Sequence, residues 1–207
     1  MIKVYVVGNS KYYASFLTNV ELTDDITKAK IVLFTGGEDV DPSLYGKKKH
    51  PSTYSNLQRD LYEKEIFSQM RKSQLAVGIC RGSQFLCVMN GGILVQNCTN
   101  HALFHTHRIF NADRTFFYEI TSTHHQMQYP FVLPKTSYDI LYHAEEGSCV
   151  EGDGISSDPI VENEPEVVVY HRKNLPKCIA IQGHPEMIPN SPVAKMLDEL
   201  IKSYVHW

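Results

Sequence analysis

The sequence predicts an α/β fold with a largely parallel central sheet. Three observations carry this. Continuous apolar runs at 31–34 and 75–79 suit strands buried on both faces, as parallel strands are. Helical patterns at 57–70 and 82–89 follow those runs and give a β-α-β-α order. Two turns, Gly36-Gly37 and Cys80-Arg81-Gly82, fall at the ends of such runs, where sheets of this kind bind ligands.

The elements follow in order. Residues 2–7 are β-branched and alternate, and Gly8-Asn9-Ser10 breaks them, so the chain opens on a buried strand rather than on a signal peptide. Ser10 is expected to cap a helix reaching about Leu17. Ile31-Val32-Leu33-Phe34 is the next strand. Leu57, Leu61, Ile66, Phe67 and Met70, with charges between them, predict an amphipathic helix over 57–70. Residues 75–79 form a strand, and 82–89 a helix stopped by Asn90-Gly91-Gly92. The second half is richer in strands, expected at 115–120, 138–143, 166–170 and 178–182. A closing helix over 192–204 carries Val193, Met196, Leu197, Leu200 and Ile201 on one face. No repeat or low-complexity linker interrupts the 207 residues, so a single domain over 1–207 is expected.

Composition narrows the function. The apolar share of 43% and charged share of 21% exclude a disordered or fibrous chain. A formal net charge of -3 gives no basic excess with which to hold nucleic acid, and the apolar runs are far too short to span a membrane. The five cysteines, Cys80, Cys87, Cys98, Cys149 and Cys178, are odd in number and irregular in spacing, which suits reduced thiols in a cytoplasmic setting.

The chemistry concentrates at Gly78-Ile79-Cys80-Arg81-Gly82, between a strand and a helix. Small residues around a tight turn let one side chain project above the sheet edge, the nucleophile-elbow arrangement with Cys in place of Ser. A thiol at a helix N-terminus is favoured as thiolate, and the free N–H groups there can stabilise an oxyanion. A buried structural cysteine would look the same. Gln182-Gly183-His184-Pro185-Glu186 follows the last buried strand. His184 there can reach a thiol on a neighbouring strand end, and Glu186, two residues on in an extended stretch, can hold its Nδ1 proton.

These two segments, with Ser83-Gln84 and Gly91-Gly92, resemble the class I glutamine amidotransferases over nearly the whole chain. More narrowly, Thr35-Gly36-Gly37-Glu38-Asp39-Val40-Asp41-Pro42-Ser43-Leu44-Tyr45, Arg59-Asp60 with Glu63, and Cys80-Arg81-Gly82 look like the gamma-glutamyl hydrolase branch. The resemblance implies a flavodoxin-like three-layer α/β/α sandwich and a Cys-His-Glu triad working through a gamma-glutamyl thioester. Cys80 matches the nucleophile, His184 the base and later the acid, and Glu186 its orienting carboxylate. Gly36 or Gly37, with Arg81, matches the oxyanion hole. Gln84 matches a substrate-binding Gln, and Thr121-Ser122-Thr123-His124-His125-Gln126-Met127 the loop that grips the substrate, so His124, His125 and Gln126 are expected at the substrate. Amidotransferases of the family often have Asn where this chain has His124. The Arg81 side chain is expected either to pair with an acid near the elbow or to hold the thiolate by its charge.

Ten histidines are many for this length. His101, His105 and His107 have a spacing that a metal site could use, and His124-His125 lie nearby, but no H-E-x-x-H or cysteine-pair signature accompanies them. The resemblance places this segment at the active-site rim instead. No cofactor is called for, and no metal is expected to be required by the chemistry. Three functions follow: a free-standing hydrolase of a small gamma-glutamyl amide, a glutaminase subunit feeding ammonia to a synthetase, or a non-catalytic module of the same fold. The partners implied are a small gamma-glutamyl substrate, with a synthetase partner or a homodimer as open alternatives.

Overall fold

Side-chain alternation along the strands sets the layers of the molecule. The computed structural model describes residues 1–8, 10–98, 101–102, 105–144 and 164–205; Cys149 lies outside them. The elements are β1 (Ile2–Val7), β2 (Val20–Leu22), β3 (Ile31–Phe34), α1 (Leu57–Gln69), β4 (Leu75–Ile79), α2 (Arg81–Met89), β5 (Ile93–Val95), β6 (His105–Asn111), β7 (Phe117–Ser122), β8 (Met127–Tyr129), β9 (Tyr138–Ala144), β10 (Pro165–Tyr170), β11 (Lys177–Ile181) and α3 (Pro192–Val205).

Among the described residues, nine strands make one sheet in the order β2-β1-β3-β4-β11-β10-β9-β6-β7. Strands β2 to β11 in that order are parallel to their neighbours. Beyond β11 the sheet continues antiparallel through β10, β9, β6 and β7. Strands β5 and β8 pair separately.

Odd and even positions of the central strands enter different clusters. Ile31, Leu33, Leu75, Val77, Ile179 and Ile181 pack under α3 through Val193, Leu197 and Ile201. Val32, Phe34, Ala76, Cys178 and Ala180 pack under α1 and α2 through Ile66, Phe67, Phe85 and Leu86. One sheet with helices on both faces is the flavodoxin-like α/β/α sandwich.

Two expectations change. The segment after Ser10 forms only a 3-10 turn over Lys11–Ala14, and the Ser10 side chain makes no capping bond. Ala14, Phe16 and Leu17 are all buried in the cluster under α3, and a short turn delivers them there without a longer helix. Helix α1 has the expected extent but a different inner face. Leu57 and Leu61 are 42% and 52% exposed, while Asp60 and Glu63 are buried beside Ile66 and Phe67. The inner face is turned toward a buried arginine, and ion pairing outranks the apolar pattern in choosing it. No described helix is long and apolar enough to cross a membrane.

Candidate active site

Strand β4 turns into α2 at Cys80, whose φ of 52° and ψ of -110° are rare for a residue with a side chain. Such a conformation costs on the order of 1–3 kcal/mol and persists only where its surroundings fix it. Here the Cys80 N–H donates to the Ile181 carbonyl at 2.8 Å, and the Ser83 hydroxyl donates to the Cys80 carbonyl at 2.7 Å. The flanking glycines are a steric requirement. A Cβ on Gly78 would strike the Gly82 carbonyl, and one on Gly82 would strike the Phe34 carbonyl. The elbow is thereby pressed onto β3 and held in one shape.

The pairing of Ile181 with Ile79 places the chain leaving β11 beside the elbow. His184 is fixed at its backbone, where its N–H donates to the Thr121 carbonyl at 3.2 Å and its carbonyl accepts from the Thr121 hydroxyl at 2.7 Å. Its Nδ1 lies 2.7 Å from Glu186 Oε1, and the Cys80 sulfur is close enough to act electrostatically on its ring. The stretch is not extended as expected: Pro185–Met187 is a 3-10 turn that brings the 1% exposed Glu186 back to the imidazole. Burial works against protonation of His184, but the Cys80 sulfur and the Glu186 carboxylate outweigh it and raise the imidazole to about 10.

The loop after β3 is braced from α1. Arg59 Nη2 donates to the carbonyls of Gly36 at 2.8 Å and Thr35 at 3.1 Å. Its other nitrogens reach Glu38 and Glu63, both at 2.9 Å. Gly37 has φ 133°, and a Cβ there would collide with the Arg59 guanidinium. Glu63 also pairs with Arg81, which pairs in addition with Asp60 and lies 5.2 Å over the Phe85 ring. The Arg81 side chain is therefore an anchor between carboxylates, and its backbone N–H opens α2. The Asp41 N–H donates to Asp60 at 2.8 Å, which ties the 38–41 segment into the same network.

Sequence reasoning passed over Tyr13. Its ring centroid lies 6.3 Å from that of His184, and its hydroxyl lies against Gly36. Burial, with the charges of Glu186 and Cys80, raises its phenol to about 12. Only the fold brings the first turn of the chain to this point, so no local pattern announces it.

The expected substrate residues divide. Gln84 is buried and its Nε2 donates to the Gln126 carbonyl at 2.9 Å, while its Oε1 has no hydrogen-bond partner. Gln126 donates through Nε2 to the Thr53 hydroxyl at 3.1 Å. His125 Nε2 lies 3.0 Å from Asp39, and the hydrogen bond to that carboxylate, with its charge, raises the imidazole. His124 is only 3% exposed and stacks on His101, with centroids 4.5 Å apart. His101, His107 and His124 thus gather in the interior rather than along a rim, and the exposed His105 is not among them.

This fold, with a cysteine elbow and a histidine on adjacent strand ends, is that of the class I glutamine amidotransferase-like proteins. The chain belongs to the Peptidase C26 family, which it matches over residues 17–186. Protein NtpR of Enterococcus hirae is 32% identical over 179 residues, which cover 77% of this chain and 68% of that protein. Two solved structures share the fold at 14% identity. PurLQS of Thermotoga maritima has a TM-score of 0.61 and covers 98% of each chain. A glutamine amidotransferase of the same organism has a TM-score of 0.56 over 99% of this chain and 94% of that one.

Proposed function

We propose that the protein hydrolyses a small gamma-glutamyl amide through a gamma-glutamyl thioester on Cys80. Family membership supports cysteine-dependent amide hydrolysis, and the contact of Cys80 with a His184 held by Glu186 at 2.7 Å carries the assignment of roles. The Cys80 sulfur attacks the amide carbonyl. The N–H groups of Gly37 or Gly36 and of Arg81 receive the developing oxyanion. The imidazolium of His184 gives its proton to the departing amine, and a gamma-glutamyl thioester remains. His184, now neutral, takes a proton from water as that water attacks the thioester. The second tetrahedral intermediate collapses by expelling the Cys80 thiolate beside the His184 imidazolium, which restores the starting pair, and the gamma-carboxylic acid released gives its proton to solvent. Gln84 and the 121–127 loop are the substrate-holding elements in this scheme.

The braced oxyanion loop supports a free-standing hydrolase. A glutaminase that waits for its synthetase keeps the hole incomplete until docking, whereas Arg59 here holds Thr35 and Gly36 from within the chain. One observation favours the ammonia-donating alternative. Edge strand β7 exposes Phe117, with the exposed Phe116 beside it, and also carries Thr121, which clamps His184. A synthetase docked on that edge would bear on the base. The test is turnover by the purified protein alone. Cleavage of gamma-glutamyl amides in preference to glutamine, lost in Cys80→Ala, is expected. Turnover that requires a second protein and prefers glutamine would move the assignment to an amidotransferase subunit, and full activity in Cys80→Ala would remove it.

A further inference from the structure

Away from Cys80, three imidazoles and two carboxylates meet at the antiparallel side of the sheet. His101, His124, Glu164 and Glu166 are each at most 3% exposed, and the His107 side chain is 17% exposed. His101 stacks on His124 and meets His107 edge-on, with centroids 5.1 Å apart.

The protons in this cluster can be assigned. His124 Nδ1 lies 2.9 Å from the Gln126 carbonyl, which can only accept, so Nδ1 carries a hydrogen and, in the neutral ring, Nε2 is a bare lone pair. That lone pair faces Glu166 Oε1 at 3.8 Å, so one acceptor looks at another. His107 Nε2 is 3.1 Å from the same oxygen but off the line of a hydrogen bond. His124 Nε2, Glu166 Oε2 and His107 Nε2 are all buried without a hydrogen-bond partner. Interiors leave few polar atoms in that state. One ligand atom each from His101, His124 and Glu166 lies within 4.8 Å of the others.

We propose that His101, His124 and Glu166, with His107 beside them, bind one divalent cation of the zinc class at a site separate from Cys80. Imidazoles with a single carboxylate suit zinc, whereas calcium and magnesium want a shell of oxygens. The outer partners are in place as well. His101 Nε2 is 2.6 Å from Glu164, and His124 Nδ1 is on the Gln126 carbonyl, the contacts that orient a metal-binding histidine. Tetrahedral zinc ligands stand roughly 3.3 Å apart, so the ligands draw in on the metal. The cation would fix the substrate-side loop. His124 and Gln84 share the Gln126 carbonyl as acceptor, and the Gln182 N–H donates to the Glu166 carbonyl two residues before His184.

The experiment uses Cys80→Ala protein, because the thiol–imidazole pair would itself take zinc. Zinc titrated calorimetrically into this protein should bind with one equivalent and raise its melting temperature. Adding Glu166→Gln should weaken binding by about 100-fold or more, while adding His125→Ala should leave it intact. X-ray absorption on the zinc-loaded Cys80→Ala protein needs no further variant and should show only nitrogen and oxygen at about 2.0–2.1 Å, with at least two imidazoles. A folded Cys80→Ala protein that binds no zinc, binding undiminished by Glu166→Gln, or a sulfur neighbour at about 2.3 Å would overturn the proposal. None of these readings depends on catalysis, so they stand or fall apart from the hydrolase assignment.

Discussion

Cys80 differs from the other described thiols in its partners more than in its burial. Burial drives the Cys87 and Cys178 thiols up to about 12, out of reach of thiolate chemistry at neutral pH. Cys80 has His184 instead. A glutamine-analogue alkylator is therefore expected to label Cys80 and spare Cys87, Cys98 and Cys178, as peptide mass spectrometry would read. Cys80→Ala should abolish hydrolysis with an unchanged circular dichroism spectrum. The imidazolium of His184 is retained to about pH 10, so acylation that needs its proton should fall only as pH rises through that value. The sign for stability is the same. A histidine raised from about 6.5 in the unfolded chain contributes fully below that pH and loses its contribution as pH rises through the folded value. Glu186→Gln removes one of the charges that raise His184, so the alkaline limb of a single-turnover pH profile should move to lower pH while activity stays measurable. His184→Ala should be nearly inactive, and a double variant no worse than that would show the two acting as a unit. The cysteine, histidine and glutamate were legible in the sequence because each sits in a short motif at a strand end. Tyr13 was not, since its neighbours Gly36 and His184 come from other parts of the chain.

At the scale of elements, helix α1 shows where pattern reading stops. Its position follows from the sequence, yet the buried face holds Asp60 and Glu63 and the exposed face holds Leu57 and Leu61. Periodicity counts apolar residues, and it does not see an Arg81 supplied by another helix. Leu61→Lys is accordingly expected to change stability by less than about 0.5 kcal/mol in urea denaturation. Phe67→Ala, which empties the cluster beneath α1 and α2, should cost about 3–5 kcal/mol. Arg81→Met should also cost about 3–5 kcal/mol, because Asp60 and Glu63 would remain buried without their cation. The backbone N–H of residue 81 survives that change, so the loss should appear in stability before it appears in the rate of the folded fraction. Strands β2, β5, β6 and β8 were not expected as such. Strand β6 reads His-Thr-His-Arg-Ile-Phe-Asn and buries chiefly Ile109, which gives no alternation to detect.

Over the whole molecule, the parallel core was legible from its apolar runs, while the antiparallel extension was only glimpsed as scattered strands. Its order depends on pairings such as β9 with β6 that no local stretch encodes. The site lies near the seam between the two halves. Strand β11 is parallel to β4 on one side and antiparallel to β10 on the other, and the chain leaving it brings His184 to Cys80. This has a consequence for the life of the chain on the ribosome. Cys80 is synthesised long before His184, and β4 has no neighbour on that side until β11 is made and inserted. Joining such distant segments is slow compared with local structure. Through that interval the nascent polypeptide carries the Cys80 thiol without the His184 imidazole beside it. If Cys80 and His184 act as proposed, the reactive pair exists only once β11 is inserted and the sheet is complete.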